Sequence, residues 1–216
     1  TAVMMIDPQT RIASAPIAKT ETDGGRVKLP VPILSGVAGI LVINVAMRLV
    51  GLAMPLSIVT RLGGTLADVG IYAGIAAAME IPFMLLWGYL LTRISREVII
   101  VGNALLFGLY VFLVAHAGSV VEVFWLQAIN GVATAALMSI PISYMQDAIK
   151  GRVGLSTSLM DVVNIGATLS GAALFGALSA GGDYQLVLVT AAAIAALGGT
   201  VMLAGNLGLM RALPAQ

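Results

Sequence analysis

The chain has 216 residues, of which 59% are hydrophobic and only 10% are charged. With a mean hydropathy of +1.02, a water-soluble fold would have too little polar surface, so the composition favours a membrane protein. The net charge of +1 and the absence of cysteine disfavour nucleic-acid binding and exclude disulfides and thiolate metal sites.

Residues 1–30 are predicted to be the tail of a preceding helix followed by a loop. Thr1–Ile6 is apolar but too short to cross a bilayer, and the chain opens with Thr rather than Met. Residues 7–29 are polar, carry mixed charge and contain Gly24–Gly25, which is typical of a loop. We therefore expect a piece of a longer protein. The alternative is a complete six-helix protein with an unstructured N-terminus.

Six long apolar runs follow, each with enough residues to cross a bilayer as a helix. They lie near 33–59, 69–91, 98–116, 120–146, 153–180 and 185–210. The 25 glycines suit helices that pack closely in lipid through small residues. We predict an all-α, polytopic membrane protein in which residues 31–213 form a bundle of six transmembrane helices.

The distribution of positive charge predicts the orientation of this bundle. Six spans place both chain ends on one side of the membrane, and almost all Lys and Arg residues fall on that side: Arg11, Lys19, Arg26, Lys28, Arg93, Arg96, Lys150, Arg152 and Arg211. Arg61 falls on the opposite side, and Arg48 lies within the first span. By the positive-inside rule, both ends and the 7–29 loop are expected in the cytoplasm, with the bundle in the inner (plasma) membrane.

Polar residues recur at helical spacing on four of the six runs. In chain order they are Asn44 and Arg48 on the first run, Tyr72, Glu80 and Trp87 on the second, Gln127 and Asn130 on the fourth, and Asp161 and Asn164 on the fifth. Polar groups in hydrocarbon are costly and usually face a cavity or a partner. We therefore expect the first, second, fourth and fifth helices to line a cavity that the third and sixth brace.

All nine of these residues are candidates for substrate binding, and three of them, Arg48, Glu80 and Asp161, carry charge. Glu80 and Asp161 are also the candidates for proton coupling. At ~1.5 Å of rise per residue, Glu80 falls near the bilayer midplane and Arg48 lies ~5 Å closer to the outside. Their side chains are therefore expected to come within reach of each other, as a structural ion pair or as a substrate or proton site. Asp161 is the second candidate for proton coupling, nearer the cytoplasmic side.

Three segments resemble the second half of the bacterial sugar efflux transporters of the major facilitator superfamily. They are Glu80-Ile81-Pro82, the run GYLLTR at 88–93 and the run QDAIKGR at 146–152. The likeness extends from about Met54 to Leu178. It implies a fold of twelve helices in two halves, with this chain similar to helices seven to twelve. It also implies that helices seven, eight, ten and eleven line the cavity while nine and twelve face lipid.

The loop after the second run departs from the superfamily signature Gly-x3-Asp-Arg-x-Gly-Arg-Lys. Gly88, Arg93 and Arg96 match it. Thr92 stands in place of the Asp, Ser95 in place of the Gly and Glu97 in place of the last basic residue. The gating role of that signature is therefore not carried over to this loop.

These observations predict half of a secondary active transporter, with proton-coupled efflux of sugars by alternating access. The amides of Asn44, Gln127, Asn130 and Asn164 suit sugar hydroxyls, and the rings of Tyr72 and Trp87 suit sugar C–H faces. Glu80 would bind hydroxyls or carry the coupling proton. The expected partners are a small-molecule substrate, membrane lipid and the missing N-terminal half.

Two other functions also suit this sequence. The apolar residues between the polar ones suit multidrug-type efflux of hydrophobic compounds equally well. A non-transporting six-helix assembly or regulatory partner is the other alternative, and its polar side chains would be satisfied internally. An enzyme is not expected, since no catalytic motif, metal-ligand cluster or cofactor-binding loop is present in the sequence.

Overall fold

The structure, a computed structural model, describes residues 31–149 and 153–212. In chain order its helices are α1 (Val31–Leu56), α2 (Leu66–Leu90), α3 (Arg96–His116), α4 (Val120–Ala148), α5 (Val153–Ser179) and α6 (Tyr184–Ala212). All six are long and apolar enough to cross a membrane. The predicted all-α fold of six membrane-spanning helices is confirmed. The predicted N-terminal helix tail and loop lie outside the described residues.

The turns at one end of the bundle are fixed by side chains that cap the helices starting there. At α2, the Thr65 hydroxyl accepts a hydrogen bond from the Asp68 N–H (3.3 Å), and the Asp68 carboxylate accepts one from the Thr65 N–H (2.7 Å). Ser119 caps α4 through the Glu122 N–H, and Asp183 caps α6 through the Leu186 N–H. These bonds satisfy N–H groups that have no partner within the helix.

At the same end, α1 finishes in a π-helical turn that the sequence pattern did not reveal. Ser57–Arg61 form this wider turn, just after Pro55, whose lack of an N–H interrupts the regular α-helical bonding. The Arg61 guanidinium then donates to the carbonyls of Val114 (2.9 Å) and Ala115 (2.8 Å). These carbonyls end α3, where a cation is favourable. The turn therefore ties the end of α1 to the end of α3.

The helices contribute unequally to the core. The main packed pairs are α1 with α6, α3 with α6, α2 with α4, α3 with α4, and α1 with α5. In α3, 61% of the most apolar stretch is buried, but the value is 17% in α5 and none in α2. α1, α3, α4 and α6 therefore supply most of the core, while α2 and α5 expose most of their surface.

Candidate functional site

A cavity of about 320 Å³ lies between α1, α4 and α5. Its polar lining consists of Asn44 and Arg48 from α1 and Asn164 from α5. The Asn44 amide Nδ2 donates a hydrogen bond to Oδ1 of Asn164 at 3.3 Å, so the two helices are bridged at the cavity wall. The remaining wall is apolar and rich in methionine: Met47, Leu137, Met138, Ile142 and Met160.

A second cavity of about 130 Å³ adjoins the first, and both are lined by Ile142, Met160 and Asn164. It also contains Gln146 and Asp161. Asp161 lies nearer than Asn164 to the end of the bundle where α5 begins. We call the two adjoining cavities the cleft. The cleft brings together four of the predicted site residues, which are Asn44, Arg48, Asp161 and Asn164.

Three other predicted site residues lie in a buried hydrogen-bond network instead of the cleft. Gln127 is completely buried and Asn130 is 5% exposed. The Gln127 amide donates to the Tyr110 hydroxyl (3.0 Å), and the Asn130 amide donates to the Gln127 carbonyl (2.8 Å). The hydroxyls of Tyr72 and Tyr110 are 3.4 Å apart. This network joins α2, α3 and α4 and satisfies the polar groups internally.

Tyr110 was missing from the predicted set, although it is the centre of this network. It lies on α3, which the sequence assigned to a bracing role, and it is fully buried. A signal was present in the sequence, because a buried glutamine such as Gln127 needs a partner and Tyr110 is one of few polar residues on that helix.

The remaining two predicted residues lie on α2. The Trp87 indole N–H donates to the Val132 carbonyl at 2.9 Å, so its polar atom is already bonded to α4. Glu80 is half-buried, and within the part of the chain that the structure describes it has no hydrogen bond or ion pair. Of the two, Glu80 is the one whose polar atoms are available to a ligand or proton.

The contact between Arg48 and Glu80 that their membrane depth suggested does not form. α2 packs against α4, whereas α1 packs against α6 and α5. Similar depth in the membrane therefore does not bring the two side chains together. Over residues 31–149 and 153–212, the one ion pair joins Arg96, at the start of α3, to Asp147, near the end of α4, at 2.5 Å. Asp147 belongs to the QDAIKGR segment that carries the family resemblance, and Arg96 is one of the residues that match the superfamily signature.

Comparison with known proteins identifies the family. Residues 36–209 match the sequence profile of the Major Facilitator Superfamily. The chain belongs to this superfamily. The predicted resemblance is thereby confirmed, and the chain is a multi-pass membrane protein of a transporter family.

Curated relatives of this superfamily member are bacterial sugar efflux transporters. Sugar efflux transporter A of Dickeya chrysanthemi is 32% identical over 66% of the chain. Sugar efflux transporter B of Salmonella typhimurium is 31% identical over 55% of the chain, and sugar efflux transporter C of Escherichia coli is 33% identical over 49%. The matched segments cover only 36%, 30% and 27% of those proteins. No solved structure matches the chain significantly.

Proposed function

We propose that this chain is the second six-helix half of a secondary active transporter that exports sugars or related small polar molecules by alternating access. The observation that carries the proposal is the cleft. Its larger cavity, at about 320 Å³, has the size of a small-molecule site. Paired amides of Asn44 and Asn164 offer hydrogen bonds to hydroxyls, and the methionine-rich wall suits the C–H faces of a sugar ring.

The first half of the transporter would complete the cleft. α2 and α5 expose most of their surface, although α5 carries Asp161 and Asn164 of the cleft. Alternating access in such proteins takes place between two repeats that move around a shared site near the midplane. The relatives are about three times longer than the segments matched, which leaves room for a first half in a protein of this kind.

The proposal also includes the orientation of the bundle in the membrane and the residues that couple transport to protons. Both chain ends face the cytoplasm, because the cations outside the spans cluster on their side of the membrane. Glu80 and Asp161 are the proposed proton-coupling residues. Glu80 has no described partner, and Asp161 lies in the cleft. A carboxylate within a membrane span commonly marks a proton or ion pathway.

A second candidate function is efflux of hydrophobic compounds, and the cavity wall favours it. Met47, Met138 and Met160 all line the larger cavity. Methionine is flexible and polarisable, so it adapts to ligands of different shape. A non-transporting assembly partner has less support, because the cleft retains open polar groups even though the Gln127 network is closed.

Transport assays in sealed vesicles test this proposal. We expect residues 1–216 alone to insert without catalysing sugar flux, and the full-length transporter that contains them to catalyse it. In the full-length protein, Asn164→Leu removes the amide from the cleft at similar size and should lower sugar flux. Robust sugar flux by the purified monomeric chain would contradict the half-transporter proposal. Flux of hydrophobic dyes without sugar flux would favour the second candidate.

A further inference from the structure

Arg48 places a positive charge in the cleft that no described residue neutralises. It lines the larger cavity, and the single ion pair found over residues 31–149 and 153–212 is Arg96–Asp147. Nor does the Arg48 guanidinium donate a hydrogen bond to any described residue. A charge inside a membrane span is costly unless something pairs with it, so this cation calls for an anionic partner.

The protein holds Arg48 at a fixed point of the α1–α5 contact. A β-carbon at Gly171 of α5 would lie 2.8 Å from the β-carbon of Arg48 and 3.6 Å from the Val45 carbonyl oxygen. Only a glycine at position 171 leaves room for the base of the Arg48 side chain against α5. The base of the Arg48 side chain is therefore held where α1 and α5 meet, and its exposed side chain lines the same cavity as the Asn44–Asn164 pair.

The open hydrogen-bonding groups around this cation are mostly donors. The Asn44–Asn164 bond uses one amide N–H and one carbonyl. Whichever way the two amides are oriented, one NH₂ group and one carbonyl remain for a ligand. Arg48 adds five N–H groups in a planar fork, which matches carboxylate and phosphate oxygens in a two-point contact. Donors therefore outnumber acceptors at this end of the cleft.

We propose that the cleft selects sugars that carry an anionic group, a carboxylate or a phosphate. This inference rests on the proposed transport function and specifies its substrate. Arg48 would bind the anion, while the open amide groups of Asn44 and Asn164 would bind ring hydroxyls. Asp161, in the adjoining cavity, would repel an anion there and accept hydroxyl hydrogen bonds instead. The charges of Arg48 and Asp161 would therefore fix the orientation of the bound sugar.

The test measures competition and counterflow with the full-length transporter in vesicles. The probes are glucose, glucuronate and glucose 6-phosphate, so that neutral, carboxylate and phosphate sugars are compared directly. We expect at least one anionic sugar to be bound and exchanged ~10-fold or more better than glucose. This first measurement needs no variant, so it does not depend on a variant's folding.

Variants at Arg48 then identify the residue responsible. Arg48→Gln should lower exchange of the anionic sugar ~10-fold or more while changing glucose exchange less than ~3-fold. Arg48→Lys, which keeps the charge but loses the fork, should give an intermediate loss for the anionic sugar. Arg93→Gln is the matched control, because it removes the same charge from an exposed turn outside the cleft. It should leave both rates unchanged.

The possible outcomes separate this inference from the proposed function. Exchange of glucose with no preference for either anionic sugar would overturn the inference and leave the transport function standing. An equal loss of neutral and anionic exchange in Arg48→Gln would also overturn it, because Arg48 would then be needed for every sugar and would not select the anionic ones. If the wild-type protein exchanges no sugar of any class, both are overturned.

Discussion

Gly39 of α1 and Gly198 of α6 bring their two helices into direct backbone contact. A β-carbon placed at either position would lie 2.9 Å from the carbonyl oxygen of the other residue. At Gly198 it would also lie 2.7 Å from the side chain of Ile43. Close approach of this kind is how helices associate in lipid, where apolar burial between helices supplies little driving force. The α1–α6 pair therefore depends on both glycines.

Replacing Gly198 with alanine should destabilise the bundle. The added methyl group cannot fit without moving α6 away from α1, and overpacking of this kind costs about 1–3 kcal/mol. The midpoint of thermal unfolding in detergent, read from helical circular dichroism, measures the effect. Gly102→Ala is the matched control, since a β-carbon at Gly102 meets no atom within 4 Å and alanine favours helix. Similar midpoints for the two variants would contradict the proposed contact.

The number and type of the helices could be predicted from the sequence because each apolar run must be long enough to cross a bilayer. The π-turn at Ser57–Arg61 could not, since it depends on Pro55 together with carbonyls of α3 that are distant in sequence. The four residues of the cleft were predicted because helical spacing places polar groups on one face. Helical spacing does not reveal whether that face meets a cavity or another side chain, and Gln127 meets Tyr110.

If the buried network around Tyr110 and Gln127 is structural and not a binding site, its loss should lower stability without weakening sugar binding. Tyr110→Phe removes the hydroxyl that accepts a hydrogen bond from Gln127. The Gln127 amide would then be buried without that partner, and such a loss costs about 1–3 kcal/mol. We expect a lower unfolding midpoint in detergent with little change in the half-saturating sugar concentration of the full-length transporter.

Tyr89→Phe controls for the loss of a tyrosine hydroxyl as such. Tyr89 is 58% exposed, so the unfolding midpoint of this variant should match that of the parent. Tyr72→Phe should have a smaller effect than Tyr110→Phe, because the Tyr72–Tyr110 contact is long at 3.4 Å. If Tyr110→Phe instead weakens sugar binding at unchanged stability, the network belongs to the substrate site.

The proposed orientation can be tested with single cysteines in this cysteine-free chain. Gly181 lies in the turn between α5 and α6, and Ser95 is exposed in the turn before α3. The neighbouring Gly182 is avoided because its φ of 74° is strained for any other residue. On intact cells, a membrane-impermeant maleimide should label Gly181→Cys and spare Ser95→Cys. Labelling of Ser95→Cys without labelling of Gly181→Cys would contradict the proposed orientation and indicate the opposite one.

Arg48 and Glu80 illustrate a second limit of sequence reasoning. A rise of ~1.5 Å per residue gives the depth of a side chain, but contact also requires that its helix packs beside the other one. Glu80 lies on α2, which packs against α4, and Arg48 lies on α1, which packs against α5 and α6. The two residues should therefore act independently. In a double-mutant cycle of Arg48→Gln and Glu80→Gln that measures the free energy of unfolding, we expect an interaction energy below about 0.5 kcal/mol.

Glu80→Gln should affect transport more than folding. The substitution keeps the size and hydrogen-bonding capacity of the side chain and removes only its ionisation. Glu80 is half-buried and has no partner among the described residues, so no ion pair within them is lost. In the full-length transporter we expect normal expression and normal sugar exchange at equal concentrations, with loss of efflux driven by a proton gradient.

Asp161→Asn is the matched variant for that experiment, because Asp161 is the other carboxylate proposed for coupling and lies in the cleft. Exchange needs only substrate binding and the movement of the two halves, whereas accumulation against a gradient also needs a proton to be carried. A carboxylate that carries the proton should therefore separate the two assays when it is neutralised. If Glu80→Gln still transports against a gradient while Asp161→Asn does not, the coupling residue is Asp161 and Glu80 has another role.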